Sequence, residues 1–165
     1  MKRIICTLME NESGALSRVV GLFSQRGYNI DTLTVAPTDD DTLSRLTLTT
    51  NGDDQMAEQI VKQLHKLINT IKVVDLTEGP HIERELMLVK IKASDTDSRT
   101  ELKNCVEIFR GSIIDVTPAT YTVQLAGDSE KLDAFIEAVS QIGIMEVSRS
   151  GVTGISRGDK FIRVN

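Results

Sequence analysis

Hydrophobic and polar positions along the chain fall into six short blocks, and the six then recur. Arg3 to Met9 is a nearly continuous apolar run, the pattern of a strand covered on both faces. Leu16, Val19, Val20 and Phe23 follow at i, i+3, i+4 and i+7, which predicts an amphipathic helix with Ser13 as its N-cap and Gly27 just past its end. Ile30 to Ala36 and Leu43 to Thr50 read as strands joined by a hairpin loop, Pro37 to Thr42. After Gly52 and Asp53 a second helix carries Met56, Ile60, Leu64, Leu67 and Ile68, and Thr70 to Leu76 closes the block as a strand. The order is βαββαβ.

Glu78 to His81 has the composition of a linker, and beyond it the order repeats. The second series comprises strand 85–93, helix 98–110, strands 112–116 and 120–126, helix 129–141 and strand 144–149. Leu102, Cys105, Val106 and Phe109 reproduce the spacing of Leu16, Val19, Val20 and Phe23, and Gly127-Asp128 echoes Gly52-Asp53. Each βαββαβ series predicts a four-stranded antiparallel sheet with both helices on one face, an α+β, ferredoxin-like arrangement. The expected organisation is a first domain over residues 1–77, a linker over 78–83, and a second domain with a short C-terminal tail over 84–165. The face of each sheet away from its helices is left uncovered, which predicts a homodimer or a stable partner.

Composition narrows the function. The chain has 165 residues, 40% of them hydrophobic, and a formal net charge of -5. That balance argues against nucleic acid and against an anionic membrane surface, both of which select clustered Lys and Arg. The run Ile4 to Met9 is too short for a signal-peptide core, and no segment reaches the ~20 apolar residues of a membrane span, so a cytoplasmic location is expected. Cys6 and Cys105 fall in a strand and a helix as small apolar residues. His65 and His81 have no cysteine nearby to complete a metal site, and Asp39 to Asp41 read as a solvated turn. No phosphate-binding, metalloprotease or nucleophile-elbow motif occurs, and no carboxylate pair stands in apolar surroundings. Neither a catalytic residue nor a metal ligand is expected.

What remains is the turn Asn11-Glu12-Ser13-Gly14-Ala15-Leu16. A helix N-terminus offers unpaired N–H groups and a partial positive charge, and glycine lets a small anion approach them closely. The turn reads either as an anion site or as a bare strand-to-helix connection with glycine chosen for its backbone angle. The equivalent turn of the second series, Ala93 to Ser98, is acidic and has no glycine, so the two turns have diverged in kind.

The stretch ENESGALSRV followed by Asn29-Ile30 resembles the opening of an ACT domain, the βαββαβ module that senses amino acids, with Ser13 where many members carry proline. Over its whole length, through NESGALSRVVGLFSQRGYNI, LTVAPTDDDTLSRLTL and EIFRGSIIDVTP, the chain is similar to the small regulatory subunits of acetolactate (acetohydroxyacid) synthase. The resemblance implies a noncatalytic subunit that activates a separate large subunit and transmits feedback inhibition by valine, the end product of branched-chain amino acid biosynthesis. Thiamine diphosphate, Mg²⁺ and FAD would belong to that large subunit, and this chain would hold no cofactor. Valine would sit where two ACT domains meet. Gly14, Ala15 and Leu16 would hold its carboxylate, Asn11 would order the turn, and Asn29 and Ile30 of the partner chain would meet the ammonium and side chain. Two other classes stay open from the residues alone: a small enzyme with ferredoxin-like halves, and a scaffold without a ligand.

Overall fold

A computed structural model describes residues 1–164. They fall into two compact units, Met1–Glu83 together with the segment from Gly151 onward, and Arg84–Ser150. The first unit is built from β1 (Lys2–Glu10), α1 (Ala15–Arg26), β2 (Thr32–Pro37), β3 (Leu43–Asn51), α2 (Asp54–His65) and β4 (Thr70–Asp75), followed by a 3-10 turn, Leu76–Glu78. Strand β5 (His81–Lys92) then leads into the second unit, which continues with α3 (Thr96–Ile108), β6 (Ser112–Val116), β7 (Thr120–Gly127), α4 (Ser129–Val139) and β8 (Ile144–Arg149). A ninth strand, β9 (Thr153–Ser156), pairs with β5.

Both sheets are antiparallel with equivalent strand orders, β2-β3-β1-β4 and β6-β7-β5-β8. The fold is the expected α+β pair of βαββαβ layers. On the helix side of the first sheet, Ile5, Met9, Leu46 and Leu48 pack with Val19 and Phe23 of α1 and with Ile60 and Leu64 of α2. The second unit repeats this with Met87, Val89 and Ile91 against Leu102, Val106, Leu132 and Phe135. Burying one such side chain contributes about 1.5–3 kcal/mol, so these two clusters dominate the stability of each unit.

The helix phases differ from the pattern read in the sequence. On α1 the buried positions are Ala15, Val19 and Phe23, while Leu16 and Val20 stand 40% and 39% exposed. Ile68 lies beyond the end of α2 and is 82% exposed. The repeat is real but its helix register is displaced by about one turn. A single spacing relates Val19 to Leu102, Phe23 to Val106, and Gly27 to Arg110, the left-handed residues that end α1 and α3. Heptad-like matching misled because two adjacent apolar pairs on each helix satisfy either phase.

Three further expectations change. Residues 81–83 are the start of β5, so the connection is shorter than 78–83. Helix α3 begins at Thr96, because Asp95 caps it from one turn upstream of the expected start. The C-terminal segment does not belong with the second unit: from Gly151 it packs on the first. There Val152 joins Ile4, Cys6 and Leu76 in a separate cluster, with Ile162 packed against it. Side chains alternate along a strand, so Ile4 and Cys6 point away from the helices, and the face expected to be bare carries the chain's own tail. β5 lacks such a cover and alternates accordingly: Met87, Val89 and Ile91 are buried while Leu86 and Leu88 are 42% and 36% exposed.

The Gly-Asp echo survives in detail. Asp53 accepts from the Met56 N–H at 2.8 Å and Asp128 from the Lys131 N–H at 2.9 Å, each capping its helix. Asp53→Ala or Asp128→Ala is expected to lower stability by about 1 kcal/mol each, measured by thermal or urea unfolding. A loss well under half of that would mean solvent satisfies the freed N–H groups as well as the carboxylate does.

Candidate functional site

The turn between β1 and α1 is fastened on both sides. The Asn11 N–H donates to Thr42 O at 2.7 Å and its side-chain amide to Asp41 O at 2.9 Å, tying the turn to the β2-β3 loop. On the other side the Glu10 N–H donates to Asn69 O at 2.9 Å. Asn69 is buried; its amide donates to Glu10 Oε2 at 2.9 Å, and its Oδ1 accepts from Arg18 Nη1 at 2.5 Å.

Helix α1 starts unlike the other three. Asp53, Asp95 and Asp128 cap α2, α3 and α4 with their carboxylates. Position 14 is the N-cap of α1, in place of the expected Ser13. Gly14 sits there at φ 85°, a left-handed conformation, and no side chain caps the helix. A side chain is strained at that angle, which is where glycine's freedom is needed. The Ala15 N–H donates to Glu12 O at 3.2 Å, while among the described residues the N–H groups of Gly14, Leu16 and Ser17 have no backbone partner. Four orphan donors are normal at a helix start and are usually met by a capping side chain or by solvent. Here the cap is missing, leaving a small patch of outward N–H groups at the positive end of the helix dipole, with the Arg18 guanidinium beside it. Such a patch has the donors and the partial charge that attract a small anion. The equivalent helix start in the second unit is occupied from within, because Asp95 accepts from the Ser98 N–H at 2.8 Å and from its hydroxyl at 2.7 Å. Those bonds hold the Asp95 carboxyl below the usual carboxylate range, so the cap is in force at neutral pH and is lost only as acid titrates it.

Asn29 and Ile30 lie at the far end of α1. The Asn29 amide donates to Asp31 Oδ1 at 2.6 Å, its carbonyl accepts from the Thr50 hydroxyl at 2.6 Å, and Ile30 packs against the helix-side core. A 12-residue helix separates them from Gly14, a rise of about 18 Å. One chain therefore brings Asn11, Gly14, Ala15 and Leu16 together but not Asn29 and Ile30. Sequence reading missed Arg18 and Asn69; a polar residue one turn inside an uncapped helix, facing a lone Asn before the fourth strand, was the available sign.

Elsewhere, Asp40 accepts from the Thr42 N–H and hydroxyl, which depresses its carboxyl pKa and makes 39–41 an ordinary turn. No cluster of His, Cys, Asp or Glu among the described residues could hold a metal ion, and no described helix is long and apolar enough to cross a membrane.

Residues 5–72 match the family described as the AHAS small subunit-like ACT domain, and residues 84–158 match the small subunit of acetolactate synthase. The chain is 63% identical over 164 residues to the acetolactate synthase isozyme 3 small subunit of Escherichia coli, covering 99% of this chain and 100% of that protein. It is 58% identical over 163 residues to the acetolactate synthase small subunit of Haemophilus influenzae, covering 98% and 99%. The crystal structure of the acetolactate synthase small subunit from Thermotoga maritima superposes with a TM-score of 0.87 at 34% identity, over 97% of this chain and 99% of that one. With both halves matched and similarity running end to end, the chain belongs to the acetolactate synthase small subunit family.

Proposed function

We propose that this protein is the noncatalytic regulatory subunit of a cytoplasmic acetolactate synthase in branched-chain amino acid biosynthesis. It activates a thiamine-diphosphate-dependent large subunit and confers feedback inhibition by valine. The observation that carries the effector reading is the uncapped, glycine-started N-terminus of α1, set against three aspartate-capped helices in the same chain. Gly14, Ala15 and Leu16 take the valine carboxylate, with Asn11 holding the turn. The Ala15 N–H must exchange its 3.2 Å bond to Glu12 for the ligand.

The ammonium and side chain are met by Asn29 and Ile30 of a second copy. The length of α1 supports this two-chain arrangement, since these residues are too far from Gly14 in their own chain. Edge strand β2 is the surface through which the copies pair in this reading. The covered face of the first sheet removes the argument for a dimer based on that face, and the exposed Leu16, Val20 and Val35 supply a different one.

Reconstitution tests the proposal. The isolated chain should convert no pyruvate; added to its large subunit it should raise the rate, and valine should reverse the gain. If valine lowers activity through this chain, the activating arrangement must bind valine less well, by a coupling of about 1–3 kcal/mol. Linkage then requires the large subunit to weaken valine binding by the same factor. Equal valine affinity for the free chain and the complex, with inhibition still present, would place the inhibitory site on the large subunit.

A further inference from the structure

The segment from Gly151 is built into the first unit at several points. Gly151 turns at φ 84°, and a Cβ there would stand 2.8 Å from Thr34 Oγ1. The next residue, Val152, is 1% exposed, and its N–H reaches Thr32 Oγ1 at 3.5 Å; Thr32 in turn bonds the Thr49 hydroxyl at 2.7 Å. Gly154 is buried, and a Cβ on it would meet Leu76 Cδ1 at 2.7 Å. Its carbonyl accepts from Arg45 Nη2 at 2.6 Å and lies 3.8 Å from the Cys6 thiol. Two glycines, a guanidinium and a buried valine thus fix one short strand across the sheet face, touching β1, β2 and β3.

From this we propose that residues 151–156 are a strap, a conformational device that clamps edge strand β2 from the helix-free side and seals the cluster around Ile4, Cys6 and Leu76. Strand β2 has β3 as its only sheet neighbour among the described residues, so the Thr32 and Thr34 contacts on the sheet face add a second hold on it. The strap rests on packing and hydrogen bonds within the first unit and does not depend on the effector reading. With the strap closed, Cys6 is fully buried. With it open, the thiol and the β2 amides become accessible while the second unit stays folded.

Cys6 supplies the test. In a full-length Cys105→Ser background, thiol labelling of Cys6 and amide hydrogen exchange are followed in the parent, in Arg45→Met, which removes the bond to Gly154 without a clash, and in Gly154→Val, which cannot seat the strap. Both variants should label Cys6 about tenfold faster or more and exchange the amides of 32–36 faster, with Val89 and Val123 unchanged, as expected for a local opening. If Gly154→Val does not fold, the exchange rates of the β2 amides in Arg45→Met decide, because Arg45 Nη2 also lies 3.5 Å from the Cys6 sulfur and its loss alters the thiol directly. Parental Cys6 and β2 rates would overturn the strap, and so would acceleration matched by Val89 and Val123, because the opening would then be global.

Discussion

Gly14→Asp is expected to abolish the valine response while leaving the fold intact. The new Cβ would lie 3.7 Å from Arg18 Nη1, so the aspartate has a guanidinium to pair with and a free helix start to cap. It thereby places a fixed carboxylate where the ligand's own must go. Losing two charge-assisted hydrogen bonds costs about 1.5–3 kcal/mol each, so the valine concentration for half-inhibition should rise by about 100-fold or more. Stability should change little, because a cap gained offsets the strain of a side chain at positive φ. Asn29→Ala should weaken the response less, on the order of 1–3 kcal/mol. Steady-state rates of the reconstituted complex with rising valine measure both, and undiminished inhibition in Gly14→Asp would reject the site.

Arg149→Met should be the most destabilising exposed-residue substitution in the second unit. Arg149 holds Glu85 with two bonds, Nε to Oε1 at 3.0 Å and Nη2 to Oε2 at 2.8 Å, and Asp133 with a third at 2.6 Å. The Glu85 side chain is 1% exposed, and the pairing with it raises the Arg149 pKa above its ordinary value. Methionine leaves that carboxylate buried with, among the described residues, a 3.4 Å contact from the Ser129 hydroxyl. Stranding a buried charge costs about 3 kcal/mol after allowance for partial exposure, a fall in Tm of roughly 10–20 °C for a unit of this size. Adding Glu85→Met should restore most of the loss, since replacing both partners by apolar groups removes the stranded charge. A single variant that melts within a few degrees of the parent would show that water reaches Glu85.

The physics of β1 was legible before the structure, though its cause was not. The continuous run Arg3 to Met9 signals cover on both faces, and both faces are covered, one by α1 and α2 and the other by Val152 and Ile162. β5 alternates in burial although Leu86 to Val89 is itself a four-residue apolar run, so sequence alone did not separate the covered strand from the half-exposed one. The cover itself was illegible because Gly151 and Gly154 act through close approach: a glycine chosen for lack of a side chain looks in sequence like a glycine in a loose tail. At the site, Gly14 stood out through the contrast between the two repeats. Arg18 and Asn69 did not, because their contact joins positions far apart in the chain, and periodicity reports only on neighbours along one element. The Asp caps at 53 and 128 were visible as a repeated Gly-Asp pair, since capping is local.

The central claim is that the start of α1 holds the carboxylate of a branched-chain amino acid. Calorimetric titration of the purified chain with valine and with valinamide, which lacks that carboxylate, tests it most directly. The account predicts saturable valine binding, with a Kd roughly in the micromolar to sub-millimolar range for so small a ligand, no measurable binding of valinamide, and loss of valine binding in Gly14→Asp. Valine binding that persists in Gly14→Asp, or valinamide binding as tight as valine's, would contradict it.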